Sequence, residues 1–420
     1  MASWISMAEA CSRLGVRPQT IYAYVSRGKL EVMTDPEDTR RSLYRAEDVA
    51  TLARRKQAGR KHETLATNTL FGSEPSIPTA VSTFIRQRLY YRGQDAVTLS
   101  RTATVEDVAR LLWNAEQDID FSSVMSEARG AAGAVHPTAS AGGERASKSP
   151  RAATAVTGMA QPKDVPARVT AFTKLAMLAA TGHSTRGRLT RVLHNECQGL
   201  VGQLADAFGA RPGKAPLHQR FAQGWEQPPA VAELLRTAMV LLVDHELTSS
   251  AFAARIAASN AASLPACLLT GLTTLAAPLH GDASGRVQAL FDEVERLGED
   301  HVIAHYLSTG LSLAGFGHHL YPDGDPRAQA LLALFEPPEV IVRFIRKVAD
   351  LTGLQPNIDA ALAALVAHLR LPVDAAFGLF ATARSVGLLA HSLEQLGEAQ
   401  VIRPRGRYIG PMPEAGPGVR

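Results

Sequence analysis

The sequence predicts a mainly α protein, and three observations carry that expectation. Between residues 166 and 400 apolar residues recur at three- and four-residue spacings, as in VAELLRTAMVLLVDHEL, SGRVQALFDEVERLG, PEVIVRFIRKVADLTG and AAFGLFATARSVGLLAHSLEQL. Alternating strands joined by Gly-rich phosphate turns are missing, which argues against a dinucleotide fold. With 420 residues, 46% of them hydrophobic, the chain can fill two or three domain cores.

From the N-terminus, Ser6-Met7-Ala8-Glu9 fits a capping box, with the Ser6 hydroxyl taking a backbone N–H and Glu9 reaching back. The helix should run to about Leu14, and Gly15 ends it. Pro18 suits the first position of a second helix, PQTIYAYVSR, whose Ile21, Tyr24 and Val25 follow helical spacing. KLEVMTDPEDTRRSLYR then reads as two strand-like pieces around a polar turn, followed by a third helix with Val49 and Leu52 on one face. Over residues 1–62 this order resembles the small winged helix-turn-helix domain of the MerR and excisionase type. The resemblance implies DNA contact by Gln19, Thr20 and Arg27 on the second helix and by Arg40, Arg41 and Arg45 in the wing. Residues 1–62 hold 12 Lys+Arg against 7 Asp+Glu, leaving 32 against 33 elsewhere, so the basic excess sits in this head. The competing expectation is a small domain that packs on protein with its charges solvated.

Residues 63–82, with SEPSIPTA, read as a linker. Residues 129–165 are dominated by Ala, Gly, Ser, Thr and Pro and read as a flexible insertion. Cys11, Cys197 and Cys267 lie far apart with no Cys-x-x-Cys pair, which suggests neither a disulfide framework nor a metal site. No signal-like leader or membrane-length apolar run is found, so a cytoplasmic protein is expected.

Six phrases carry histidines, arginines and one acid in order: DHELTSSAFAAR (244–255), APLHGDA (277–283), GFGHHLYPDGDPRA (315–328), PNID (356–359), FATARSVGLLAHSLEQ (380–395) and IRPR (402–405). Together they resemble the citrate synthase family, from about Tyr91 to near the C-terminus. YYRGQDAVTLSRTATVEDVARLLWNAE looks like that family's opening, a short strand pair leading to a helix with Val105, Val108, Leu111 and Leu112 inward. The resemblance implies a large helical domain over 83–280, a small one over 281–375 and a return to the large domain over 376–420. It also implies the reaction: the methyl carbon of acetyl-CoA joins the ketone carbon of oxaloacetate, and thioester hydrolysis then gives citrate and free CoA without a cofactor. By the same resemblance Asp359 is the base, His280 binds the thioester carbonyl and His318 polarises the ketone. His245, Arg327, Arg384 and Arg403 would hold oxaloacetate, with Arg403 reaching the neighbouring subunit of a homodimer.

The residue types suit such chemistry. A carboxylate serves as base if burial raises its pKa, a neutral imidazole near a helix N-terminus donates a hydrogen bond, and arginine offers a planar fork to carboxylates. Each also has a structural explanation. Asp325 and Pro326 suit a helix start, Arg384 could pair with an acid, and Asp359 could cap the helix AALAALVAHL.

The chain departs from the family's usual pattern on the acyl-CoA side. HGGAN is replaced by His280-Gly281-Asp282-Ala283-Ser284, where Arg286 could offset the acid. The cations after GFGH give way to His319-Leu320-Tyr321-Pro322, for which Arg343, Arg346 and Lys347 could substitute. A usual tryptophan is Leu388. Propionyl-CoA or another close acyl-CoA therefore stays open as substrate. So does a second class, a DNA-binding regulator that uses the body to sense a metabolite.

Overall fold

The computed structural model describes residues 4–14, 16, 21, 24–25, 30–35, 38, 42–50, 77–122, 165–278, 280–281, 283–398, 400–404 and 409–410. The chain divides into two compact units, Met1–Pro78 and Thr79–Arg420.

In the first unit, β1 (Trp4–Ser6) leads directly into α1 (Met7–Leu14), and β2 (Val32–Thr34) and β3 (Ser42–Arg45) complete an antiparallel sheet of order β1-β3-β2. Residues 46–50 are helical. Ile5, Ala10, Leu14, Ile21, Leu30, Tyr44 and Val49 form its core. Half of the expected capping box is present: Glu9 N–H donates to Ser6 Oγ at 3.3 Å. The Glu9 carboxylate instead takes a hydrogen bond from Arg13 one turn on, at 2.6 Å, because the salt bridge to a cation outcompetes a neutral amide. Gln19, Thr20, Arg27, Arg40 and Arg41 lie outside the described residues, as do Leu52, most of the 63–82 segment and residues 129–164. Arg45 is described, and its guanidinium bonds to Glu31 at 2.8 Å and Glu47 at 3.5 Å.

The second unit opens with β4 (Ser82–Ile85), β5 (Arg88–Tyr91) and β6 (Gln94–Asp95), two tight antiparallel hairpins. The first is turned by Arg86 and Gln87, both at positive φ, as a two-residue hairpin matching strand twist requires. Asp95 caps α2 (Ala96–Leu99), and a reciprocal Thr104–Asp107 capping box starts α3 (Val105–Trp113). Helices then follow in succession: α4 (Ala167–Thr181), α5 (Thr190–Ala207), α6 (Leu217–Gly224), α7 (Val231–Leu242), α8 (Ser249–Ser259) and α9 (Leu264–Leu275). Beyond them come α10 (Ala283–Leu297), α11 (Glu299–Thr309), α12 (Pro326–Leu332), α13 (Glu339–Thr352), α14 (Ile358–Leu369) and α15 (Ala375–Gly397).

The long helix α15 is buried on nearly every side and packs against α3, α5, α7, α8 and α9, the environment expected of a helix apolar all round. This is the larger core. A second core, from Val287 to Ala364, joins α10, α11 and α13 to α14. The alanine-rich α14 serves both: Ile358, Ala361, Leu362 and Leu365 face the first core, Ala360, Ala363 and Ala364 the second. Its small side chains let one helix sit between two packed layers. The site residues gather at its N-terminal end.

Candidate active site

Asn357 caps α14, accepting hydrogen bonds from the N–H groups of Asp359 and Ala360 at 3.0 and 3.4 Å. Asp359 is therefore not the cap, and its carboxylate is free for other work. Among the described residues Oδ1 is buried without a hydrogen-bond partner, although the residue keeps partial surface access. Burial raises its pKa to about 6, with Asp325 adding to the rise and Arg327, Arg384 and Arg286 opposing it. The GFGH loop is laced to this helix start: Gly317 N–H donates to Gln355 O at 2.8 Å, Asn357 N–H to Gly315 O at 2.8 Å, and the Asn357 amide to Gly317 O at 3.1 Å. Gly315 stands at φ +84° in close approach to Val287 and Ala360, where a side chain would clash.

That lacing ties the His318 loop to the start of α14. Leu320 N–H donates to His318 Nδ1 at 3.1 Å, which places the ring proton on Nε2. His319 stacks on it with centroids 4.9 Å apart. His245 meets His318 edge-on at 5.3 Å, and Tyr321 lies 3.2 Å from His245 Nε2. His280 Nε2 is 2.9 Å from Ser250 Oγ, leaving Nδ1 without a partner among the described residues. All three imidazoles are held neutral, chiefly by burial and then by neighbouring arginines: His280 and His318 fall to about 4, and His245 falls well below the usual range.

Two arginines close the arrangement. Arg327 is gripped by Asp325, Nε to Oδ1 at 3.0 Å and Nη2 to Oδ2 at 2.8 Å. Asp325 is also the cap of α12, accepting from Arg327 N–H at 3.0 Å, and takes the Ile358 N–H at 3.0 Å. The helix-start reading of DPR holds, and Arg327 is oriented from the same turn. Arg384, 2% exposed, donates from Nε to Leu242 O at 2.9 Å and forms no ion pair among the described residues. Burial lowers its pKa, and the nearby Asp244 only partly offsets this. The field of Arg384 reaches His245, His280 and Asp359, and that of Arg327 reaches His245, His318 and Asp359. Six predicted residues thus belong to one cluster. Arg403 does not join it: its side chain is exposed on the C-terminal segment.

Asp244, Ser250, Tyr321 and Asp325 were not singled out as site residues from sequence. Asp244 is fully buried, accepts hydrogen bonds from Ser82 Oγ and Glu246 N–H, and faces His391 at 3.4 Å. Of these only Asp325 had a local signal, its position before Pro326. The cations suggested for the acyl-CoA side are largely engaged. Arg343 bonds Glu299 and Glu339, and Lys347 pairs with Asp300. Asp282 is outside the described residues. No group of three or more His, Cys, Asp or Glu among the described residues could hold a metal ion.

Neutral imidazoles around two buried guanidinium groups and one protonatable carboxyl can hold a dianion and move a proton beside it. A mainly α unit with two cores and such a cluster defines the structural class. The comparisons give the family. A model of the citrate synthase C-terminal domain matches residues 72–405, and the chain belongs to the citrate synthase family. Citrate synthase of Haloferax volcanii is 33% identical over 199 residues, 44% of this chain and 52% of that protein. Citrate synthase 2 of Bacillus subtilis is 32% identical over 202 residues, 45% of this chain and 54% of that one. The chain thus spans about half the length of the curated relatives it matches. Among solved structures, citrate synthase of Thermotoga maritima aligns with TM-score 0.63 at 22% identity, over 83% of this chain and 97% of that one. The Thermoplasma acidophilum enzyme, in ternary complex with carboxymethyl coenzyme A and oxaloacetate, aligns with TM-score 0.64 at 19% identity over the same shares. These two likenesses establish the fold. No helix among the described residues is long and apolar enough to cross a membrane.

Proposed function

We propose that the protein condenses acetyl-CoA, or a close acyl-CoA, with oxaloacetate and hydrolyses the resulting thioester to citrate and free CoA. The observation that carries this reading is the Asp359 carboxyl, buried, unpartnered at Oδ1 and raised to about 6 beside two arginines. Ionised, it removes a proton from the acyl carbon next to the thioester. With the Ser250 hydroxyl donating to Nε2, the neutral His280 has Nδ1–H to offer the thioester oxygen as enolate charge develops, and this is the tautomer the proposal takes. His318 presents Nε2–H to the ketone oxygen, so the new carbon–carbon bond forms as that oxygen takes up negative charge and then a proton. Arg327, Arg384 and His245 hold the two carboxylates. Water then cleaves the thioester, releasing CoA thiol.

Thiol release with oxaloacetate and a panel of acetyl-, propionyl- and longer acyl-CoAs tests it, with Asp359→Ala as control. Turnover that does not exceed the control ends the reading. Arg403, exposed here, fits a role in a second copy's site, so a homodimer belongs to the proposal and Arg403→Ala should raise the oxaloacetate KM. A large and a small domain that close around the ligand, divided near residues 281 and 375, belong to the proposal; the second core lies wholly within that smaller span, while α12 and one face of α14 pack with the larger core.

For the first unit, the concentration of basic charge and the strand–helix order favour DNA as partner in the cytoplasm. Arg45 pairs with Glu31 and Glu47, which weakens it as a phosphate contact. Gel shift against the gene's own upstream DNA should show binding that falls steeply with salt. Absent or salt-insensitive binding would leave a protein-packing role.

A further inference from the structure

We propose that Tyr321 is a positioning residue for the dicarboxylate, setting the tautomer of His245 and the orientation of Arg327; this rests on the condensation reading above. Tyr321 stands in the segment HHLYP, where the family's usual cations are missing. Two successive turns, Tyr321 N–H to His318 O at 3.0 Å and Gly324 N–H to Tyr321 O at 3.1 Å, fold its ring back among the site residues. The ring is 2% exposed and touches three of them. Its centroid is 4.9 Å from that of His318, the Arg327 guanidinium lies 5.1 Å from it on the π face, and its hydroxyl is 3.2 Å from His245 Nε2. Phe84 packs at 4.9 Å on the other flank, so the ring has little freedom to turn away.

A neutral phenol can donate to or accept from a neutral imidazole. The proposed role takes the Tyr321 O–H as donor to His245 Nε2, with the imidazole proton on Nδ1. His245 is then a pre-set donor at its other nitrogen. Without the hydroxyl the two tautomers would compete, and part of the population would present a lone pair to a carboxylate. The ring face meanwhile steadies a guanidinium whose other restraint is Asp325. A phenylalanine would preserve packing and the cation–π contact, so the hydroxyl has a separable task.

Oxaloacetate binding by calorimetry without acyl-CoA, together with steady-state kinetics and thermal melting, compares wild type with Tyr321→Phe and Tyr321→Leu. Tyr321→Phe should weaken oxaloacetate binding by roughly fivefold, the size of one hydrogen bond. The acyl-CoA KM and Tm should stay unchanged. Tyr321→Leu should weaken oxaloacetate binding further. Unaltered binding in Tyr321→Phe overturns the inference while leaving the condensation reading intact. A joint fall in Tm and kcat with a rise in both KM values also overturns it, since that marks a packing role. If wild type binds oxaloacetate without turning over, the condensation reading falls and the binding comparison still decides the role of Tyr321. If wild type does not bind oxaloacetate, both fall.

Discussion

Asp325 and Arg327 form a two-pronged ion pair between side chains only two residues apart, both within 3% of full burial. The pair sits on the first turn of α12, yet the same carboxylate also holds Ile358 N–H, one residue before Asp359. One acid therefore joins the α12 start, a substrate-type arginine and the helix of the candidate base. It is held ionised against a burial penalty by Arg327 and by the two backbone N–H donors.

Asp325→Ala should accordingly be severe. Removing one partner of a buried pair leaves the other charge uncompensated, at a cost of about 3–5 kcal/mol. Urea unfolding monitored by circular dichroism measures it. A loss below about 1 kcal/mol, within reach of a cap alone, would mean that Arg327 finds another counter-charge.

Asp359 sets an expected pH response. Its pKa lies at about 6 in the folded protein, against near 4 in an unfolded chain. The imidazoles His280 and His318 titrate near 4, so they are already neutral where the carboxyl ionises. The acid limb of kcat/KM should therefore fall with a midpoint near pH 6, losing about tenfold per pH unit below it. The stability contribution of Asp359 moves the opposite way. Between about pH 4 and 6 its carboxyl holds more proton in the native state than in the unfolded one, so this contribution declines by roughly 2–3 kcal/mol as pH rises, against an opposite contribution from His280 and His318, whose folded pKa of about 4 lies below the unfolded value. Asp359→Asn should remove that decline and melt higher than wild type above pH 6. An acid limb near 4, or an Asn variant no more stable at pH 7, would place the titration elsewhere.

Much of this arrangement was legible because it is local. Helical periodicity, the Asp325 cap and the wording of each of the six phrases are all short-range patterns. What the sequence left open depended on partners far along the chain. Both Asn357 and Asp359 are good capping residues, and only the backbone decides that Asn357 takes the role and frees the acid. Ser250 meets His280 from thirty residues away, and Tyr321 meets His245 across the cluster. Arg384 could have been a structural ion pair; it meets instead the Leu242 carbonyl at the end of α7, with no carboxylate in direct contact among the described residues. Of the suggested acyl-CoA cations, Arg343 and Lys347 pair with Glu299, Glu339 and Asp300, partners that no local pattern announces.

Arg384 separates function from stability. Its charge is buried with a single backbone hydrogen bond and no ion-pair partner among the described residues, so the fold gains little from it. Arg384→Leu should leave Tm equal or higher. The same change should raise the oxaloacetate KM by roughly 10- to 100-fold, the loss expected for hydrogen bonds to a charged ligand. A variant that unfolds at lower temperature while keeping its oxaloacetate KM would reverse both halves of the argument.

Gly387 lies one turn beyond Arg384 in the middle of α15, where helix propensity alone favours alanine by about 1 kcal/mol. A methyl group there would collide with Val243 O and Asp244 Oδ1, at the segment that carries His245. Gly387→Ala should thus cost about 3 kcal/mol or more, as overpacking against fixed backbone does, and should displace Asp244 from Ser82 and His391. Gly199, inside α5, supplies the contrast: its added Cβ would meet only the Gln203 amide at 4.0 Å. Gly199→Ala should therefore gain up to about 1 kcal/mol with oxaloacetate binding unchanged. Unfolding curves of the two variants, with oxaloacetate titrations beside them, give opposite signs if close approach of α15 to the Asp244–His245 segment shapes the site. Equal stabilisation of both would show that this approach is not required.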